Sequence, residues 1–242
     1  MGRPVVREFI EYVGSLRPAF MDSIQGATAE EVQLYEQLVG RQLPPTYREF
    51  LLAMGHENGG TELFVQSTTD VRQLIEVYRT EVQSGETVIP PRCVLMAIDE
   101  LEEHEVFLEG PPDEEPRVVL GAGGRVTELY AESLGKLLFR YAFVRDGMAA
   151  LPHHRYYSGG SARDRVLPKV RDLATSLGFE PLWFSDSLAF CGQGEGASVY
   201  CDQMEGRGLA FKVTARKEAE AEKIGAEFAR RFLLDPQTLP KP

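Results

Sequence analysis

The sequence predicts an α+β fold in two domains, and two observations lead to this prediction. Segments in which apolar residues recur at helical spacing alternate with short strand-like segments, as in folds that pack helices on antiparallel sheets. A stretch rich in Gly, Pro and Ser interrupts this pattern, and a chain of 242 residues is long enough for two domains. We therefore expect a mixed helix/sheet domain over residues 1–148, a linker over 149–164 and a smaller α+β domain over 165–242.

The first domain is predicted to contain five helices. In the second of them, Thr28 and Glu31 have the spacing of a capping box, and Gly40 stands where a helix ends on a left-handed residue. The five predicted helices cover residues 6–17, the stretch between Thr28 and Gly40, the stretch that Pro44-Pro45 precede or begin and that Gly55 ends, 70–83 and 133–143. Strands are predicted over 92–99, 104–110 and 117–131, the last of these interrupted by a glycine turn.

Residues 43–60 read LPPTYREFLLAMGHENGG and predict a helix that ends in a sharp turn. Apolar residues at positions i, i+3, i+4 and i+7 place one side of this helix in the core. They are Tyr47, Phe50, Leu51 and Met54. Asn58, Gly59 and Gly60 tolerate positive φ, so the chain can turn there into a strand expected over 61–65.

The second domain is predicted to be a four-stranded antiparallel meander between two helices. The helices are expected over 165–178 and 215–234, and the strands over 179–184, 187–191, 197–202 and 208–214. Trp183 is expected in the core of this domain, with an exposed interface anchor as the alternative. The patch HHRYY (153–157) falls in the predicted linker, where it could bind a peptide or contact the flanking domains.

The first domain resembles the SUKH superfamily, also called the SMI1/KNR4 domain. The signature is a Glu-rich helix ending in Gly, then Leu-Pro-x-x-Tyr-x-x-Phe-Leu, then Asn-Gly-Gly. It is carried here by Glu30, Glu31, Gly40, Leu43, Pro44, Tyr47, Phe50, Leu51, Asn58, Gly59 and Gly60. The resemblance covers about residues 24–143, including a Ser-capped closing helix. Six residues (52–57) separate Leu51 from Asn58, where the family has about four, and residues 150–242 have no counterpart in the family.

This resemblance implies a binding module without catalysis. Bacterial members of the superfamily are immunity proteins that bind and neutralise polymorphic toxins, often nucleases, and fungal members are scaffold or regulatory proteins. The motif residues Leu43, Pro44, Tyr47, Phe50, Leu51, Asn58, Gly59 and Gly60 would then determine the fold and carry no catalytic role.

Acidic residues are concentrated in the first domain. The net charge of the chain is −11; residues 1–150 carry 13 basic and 25 acidic side chains, a net −12, and the remainder carries a net +1. Such a surface repels nucleic acid and attracts basic partners. We expect a protein partner to bind two acidic segments, composed of Asp99, Glu100, Glu102, Glu103, Glu105, Asp113, Glu114 and Glu115. The alternative is a solvated acidic face without a partner.

No recognised catalytic or metal motif is present. GAGGR (121–125) lacks the Gly-Lys-Ser/Thr of a P-loop, and the spacing of the four histidines fits no metal site, so no cofactor or metal is expected. Cys93, Cys191 and Cys201 form no Cys-x-x-Cys pair and are expected to be buried thiols of a reducing cytoplasm, with a disulfide between Cys191 and Cys201 as the alternative. The N-terminus lacks the features of a signal peptide, and no stretch is apolar enough to span a membrane.

The sequence leaves three hypotheses for function. The first is a cytoplasmic immunity protein that binds a basic toxin domain, for example a nuclease, through its acidic residues. The second is a regulatory scaffold without a toxin partner. The third is an enzyme whose site lies undetected in the C-terminal domain.

Overall fold

The computed structural model describes residues 4–61, 63–64, 67–99, 105–162, 164–204 and 206–237. The chain divides into two compact units, Met1–Tyr141 and Ala142–Pro242. Each unit combines α-helices with an antiparallel sheet, so the predicted α+β fold class is confirmed.

The first unit contains the five helices that the sequence predicts. They are α1 (Val5–Leu16), α2 (Ala29–Val39), α3 (Pro45–Met54), α4 (Val71–Val77) and α5 (Leu134–Ala142). Its strands are β1 (Ile24–Gln25), β2 (Glu57–Asn58), β3 (Ser67–Thr68), β4 (Cys93–Asp99), β5 (Glu105–Glu109), β6 (Arg117–Ala122) and β7 (Arg125–Ala131). β1 pairs with β2, and the other five strands form one sheet in the order β3-β4-β5-β6-β7.

The local signals around α2 are confirmed. The Thr28 hydroxyl accepts a hydrogen bond from the Glu31 amide at 3.2 Å, and the Glu31 carboxylate accepts one from the Thr28 amide at 2.8 Å. Gly40 ends the helix in the left-handed region with a φ of 75°. Glu31 also binds the imidazole of His56 at 2.8 Å, and this contact joins the extra residues before Asn58 to the start of α2.

The Asn-Gly-Gly corner forms, but the strand predicted after it does not. The Asn58 side chain binds the Thr61 amide at 3.0 Å and the Thr61 carbonyl at 3.1 Å, and the Leu63 amide also donates to the Thr61 carbonyl. These local hydrogen bonds occupy backbone N–H and C=O groups that would otherwise pair with a neighbouring strand. The prediction over 61–65 is therefore wrong for its described residues, and the next strand begins at Ser67.

Gly59 is required at this corner for two reasons. Its φ is +68°, a conformation that other residues rarely adopt, and an added Cβ would lie 2.3 Å from the ring of Phe20. The side chains of Leu43, Tyr47, Phe50 and Leu51 are buried beside it in the same unit. The motif residues thus serve the core and the turn.

Three tyrosine hydroxyls meet the backbone of Leu95 in β4. Strand pairing between β4 and β5 is irregular there, since Leu95 lies opposite Phe107 and Ala97 opposite Val106. Tyr35 from α2 donates to the Leu95 carbonyl at 2.5 Å, Tyr47 from α3 donates to it at 3.4 Å, and the Leu95 amide donates to the Tyr78 hydroxyl at 3.5 Å. Burial raises the pKa of Tyr35 and Tyr47, so both hydroxyls keep their protons as donors.

The second unit has a six-stranded sheet, two strands more than the sequence predicts. Its elements are β8 (His153–Gly159), α6 (Leu167–Ser176), β9 (Glu180–Pro181), β10 (Ala189–Gly194), β11 (Ala197–Asp202), β12 (Leu209–Ala215), α7 (Glu218–Phe232) and β13 (Leu234–Gln237). The strands pair antiparallel in the order β13-β8-β12-β11-β10-β9. The predicted meander therefore corresponds to β9–β12.

Strand β8 corrects the prediction of a linker over 149–164. Residues 153–159 pair with β12 on one side and with β13 on the other, in the interior of the sheet. The patch HHRYY is thus a central strand whose side chains alternate between two faces. Tyr157 contacts the ring of Phe211 and lies against Gly225 of α7, where an added Cβ would be 2.2 Å from the Tyr157 hydroxyl.

Helices α6 and α7 cover one face of this sheet. The Phe211 and Phe228 rings stack with their centroids 4.3 Å apart, and Val199 and Cys201 belong to the same buried cluster. Trp183 lies outside this core with 43% of its surface exposed, so the expectation of a core residue is wrong. It follows the two-residue strand β9 and packs edge-on against Phe184.

We predict that Tyr35→Phe destabilises the protein more than Tyr47→Phe does. The shorter bond to the buried Leu95 carbonyl is lost in Tyr35→Phe, at a cost of about 1–3 kcal/mol, whereas loss of the 3.4 Å contact costs about 0.5 kcal/mol. Urea unfolding followed by circular dichroism measures both free energies. Equal effects from the two substitutions would contradict the role assigned to Tyr35.

Candidate functional site

The two predicted acidic segments lie at opposite ends of β5. Glu105 begins this strand opposite Ile98 and Gly121, whereas Asp113, Glu114 and Glu115 lie in the turn that follows its last residue. With a rise of about 3.4 Å per residue, the strand alone separates the two ends by about 14 Å. Among the described members of the two segments, Glu105 therefore lies at one end of β5, and Asp113, Glu114 and Glu115 lie beyond the other.

Glu105 is the acidic residue of the first segment whose side chain the structure describes. Glu100, Glu102 and Glu103 lie outside the described residues, and Asp99 is described only as the backbone end of β4, opposite Ser67. Glu105 is partly buried, and burial together with the charge of Glu81 raises the pKa of its carboxyl group. Glu81 is thus a carboxylate that the sequence analysis missed at this end of the sheet.

Glu81 lies in the π-helical turn Tyr78–Val82 that continues α4. Its carboxylate accepts a hydrogen bond from the Thr87 hydroxyl at 2.7 Å, and its carbonyl accepts bonds from the amides of Glu86 and Thr87. The loop after the turn therefore folds back and holds this side chain in place. Proximity to Glu105 depends on how the helix packs on the sheet, and no sequence pattern indicates it.

The second segment divides into residues with different surroundings. The side chains of Asp113 and Glu114 are exposed. Glu115 is exposed too, but its carboxylate accepts a hydrogen bond from the Gly135 amide in the first turn of α5 at 2.9 Å, and another from the Thr46 hydroxyl of α3. A carboxylate at a helix N-terminus is stabilising, so Glu115 has an internal role in joining two helices.

The described residues contain no group of His, Cys, Asp or Glu side chains that could hold a metal ion. Cys93, Cys191 and Cys201 are buried. Cys191 lies opposite Tyr200, and Cys201 opposite Phe190, so the two thiols point to opposite faces of the sheet and cannot form a disulfide without rearrangement. Within the described residues, no helix has both the length and the apolar character needed to cross a membrane.

Comparison with known proteins adds no relative. No protein-family model matches the chain, and no curated protein sequence matches it.

We predict that Glu115→Ala destabilises the protein by about 1–2 kcal/mol, because the amide of Gly135 and the hydroxyl of Thr46 both lose their acceptor. Glu114→Ala is the matched control, since Glu114 is exposed in the same turn, and we expect a change below about 0.5 kcal/mol. Urea unfolding of both variants measures the difference. Equal stability of the two variants would remove the helix-joining role of Glu115.

We predict that Glu105→Gln stabilises the protein at pH 7. The pKa of Glu105 is raised in the folded state, so the folded protein binds this proton more tightly, and the free energy of unfolding falls as the pH rises through that pKa. The glutamine removes this loss, and the advantage should vanish below about pH 3.5, where the carboxyl group is protonated in both states. Urea titrations at pH 3.5 and pH 7 test the sign, with Glu11→Gln on the exposed side of α1 as the control.

Proposed function

We propose that this chain is a non-catalytic, cytoplasmic immunity protein. In this proposal it binds a polymorphic toxin domain with a basic surface, such as a nuclease, and blocks that surface without carrying out chemistry. The binding surface lies at the end of the first unit's sheet where Glu105 and Glu81 meet. Asp99, Glu100, Glu102 and Glu103 belong to the same acidic segment of the sequence and extend this surface in the proposal.

The resemblance to the SUKH superfamily supports a binding role. Of the residues that carry the resemblance, the apolar ones of α3 and the residue before it are buried, and Asn58, Gly59 and Gly60 form the turn, as expected of a scaffold that presents variable surface residues. The capping box at Thr28 and the left-handed Gly40 agree with the same motif.

The position of Glu105, partly buried at the start of β5 and close enough to Glu81 for that charge to raise its pKa, is the observation that carries the choice of surface. Two carboxylates held near each other, one of them partly buried, cost stability at neutral pH. A cationic side chain from a partner would offset that cost, so part of the binding free energy is available from relief of repulsion within the free protein.

Charge also favours a basic partner at longer range. Residues 1–150 carry a net charge of −12, and a field of this sign raises the association rate of a positively charged domain. Glu115 is exposed, but its carboxylate also accepts hydrogen bonds from α5 and α3, so it would contribute less to the proposed surface than Glu105. Asp113 and Glu114 remain exposed at the far end of β5 and would contribute through the field alone.

Co-expression with the toxin encoded beside the gene, followed by calorimetry, tests the proposal. We expect Glu81→Gln combined with Glu105→Gln to weaken binding at least tenfold, and Asp113→Asn combined with Glu114→Asn to weaken it less than threefold. Affinity of the unchanged protein should fall between 50 and 300 mM salt, and the fall should be smaller for the first double variant.

Two outcomes would count against this proposal. Equal weakening by both double variants would mean that charge acts only through the field and that the end at Glu105 is not the contact surface. Absence of binding to any neighbouring toxin, combined with capture of another cytoplasmic protein that requires Glu81 and Glu105, would favour the regulatory scaffold.

A further inference from the structure

The second unit has a polar sheet face on the side away from α6 and α7. Strand register places His154 beside Thr214, Thr214 beside Ser198, and Tyr156 beside Lys212 on this face. Thr214 and Ser198 are buried, and none of the described residues forms a hydrogen bond with the Thr214 hydroxyl. Burying a hydroxyl without a hydrogen-bond partner costs free energy. Covering this polar face therefore carries an energetic cost at Thr214.

Residues 143–151, which precede β8 and which we call the latch, are bound to this face. The latch consists of a π-helical turn (Phe143–Gly147) and a 3-10 turn (Met148–Ala150) in place of a regular α-helix. The Lys212 amine donates to the Val144 carbonyl at 2.8 Å, and the Nε2 of His154 donates to the Leu151 carbonyl at 2.6 Å. Two titratable side chains from adjacent strands thus hold the two ends of the latch.

We propose that the latch is a conformational switch whose closed form is favoured when Lys212 and His154 are neutral and becomes less favoured when they are protonated. The proposal is independent of any partner of the first unit. Opening would release the chain between α5 and β8 from the sheet and expose the polar face to solvent.

Some contributions to the free energy favour the closed latch, and others oppose it. Phe143 and Met148 are buried and favour closure, since apolar surface leaves water. Burial of the Lys212 amine, the His154 ring and the Thr214 hydroxyl opposes closure. Short π-helical and 3-10 turns are also less favourable than a continuous α-helix, and they often mark a hinge.

The sign of the pH dependence follows from these surroundings. Burial lowers the pKa of Lys212 to about 8, and burial is also the main cause of the lowered pKa of His154. Opening would return both groups to water, where they bind protons more tightly, so acid favours the open latch and alkali the closed one. A neutral lysine amine can still donate to the Val144 carbonyl. Loss of the proton therefore removes the cost of burying a charge and keeps this hydrogen bond.

Other titratable and charged groups surround this contact. Tyr156 of β8 and Tyr200 of β11 lie opposite Lys212 in the sheet, His153 precedes His154 on β8, and Arg145 and Asp146 belong to the latch itself. The charge of Lys212 and that of His153 both lower the pKa of His154, so protonation of Lys212 also makes protonation of His154 less favourable. Lys212 is therefore the group to titrate first as the pH falls from 9 to 7.

Hydrogen exchange of the latch amides in the full chain tests the switch. With exchange rates corrected for their intrinsic pH dependence, we expect protection over 143–151 to rise about tenfold from pH 7 to pH 9, as given by a closed-state pKa of about 8 and an open-state pKa of about 10.4. Lys212→Met should reduce this rise to less than twofold. Lys223→Met, at an exposed position of α7, is the matched control and should keep the full rise.

Three results would overturn the proposal. They are unchanged protection of the latch in the wild-type protein between pH 7 and pH 9, a full tenfold rise in Lys212→Met, and an equal rise for the amides of β11 and β12, which would indicate opening of the whole unit. Should Lys212→Met fail to fold, Lys212→Arg serves the same purpose, because arginine stays charged throughout this range and should abolish the rise.

Discussion

The backbone of Leu95 is the point at which three helices of the first unit are joined to its sheet. The irregular pairing of β4 leaves this residue to be satisfied by hydroxyl groups, and Tyr35, Tyr47 and Tyr78 supply them from α2, α3 and the turn after α4. Burying a carbonyl without a hydrogen-bond partner costs free energy. The need to supply partners to the backbone of Leu95 therefore fixes the positions of these helices on the sheet. Tyr78 also fixes the turn that carries Glu81, three residues later, near Glu105 on the next strand.

The edges of both sheets are poor templates for an added strand. In the first unit β3 has two residues, and the pairing of β7 with β6 shifts register twice, which twists that edge. In the second unit the edge strands β9 and β13 each contain a proline, Pro181 and Pro236, which lack a backbone donor. These described edges favour recognition of a partner through side chains and loops, which is how an acidic surface would act.

Elements with local signals could be predicted from the sequence, and elements that depend on distant pairing could not. The capping box at Thr28 and the left-handed Gly40 mark α2 without reference to the rest of the chain. Strand β8 was missed because its residues alternate between two half-buried faces and because its partners, β12 and β13, lie about 50 and 80 residues further on. The same limit applies to the site, since acidic composition locates Glu105 but not Glu81, and it does not reveal that Glu115 binds two helices.

The carboxylates of this protein differ in whether their negative charge stabilises or destabilises the fold. Glu31 and Glu115 accept hydrogen bonds from helix N-termini and stabilise the scaffold, and the backbone amide of Thr28 is the main cause of the lowered pKa of Glu31. Glu105 has the opposite balance, since burial and a neighbouring carboxylate make its charge unfavourable. A side chain that costs stability in the isolated protein is a better candidate for binding than one that stabilises it, because only the former gains from a cationic partner. The proposed binding surface is thus located by where negative charge is unfavourable to the fold, and a count of acidic residues along the sequence is a weaker guide.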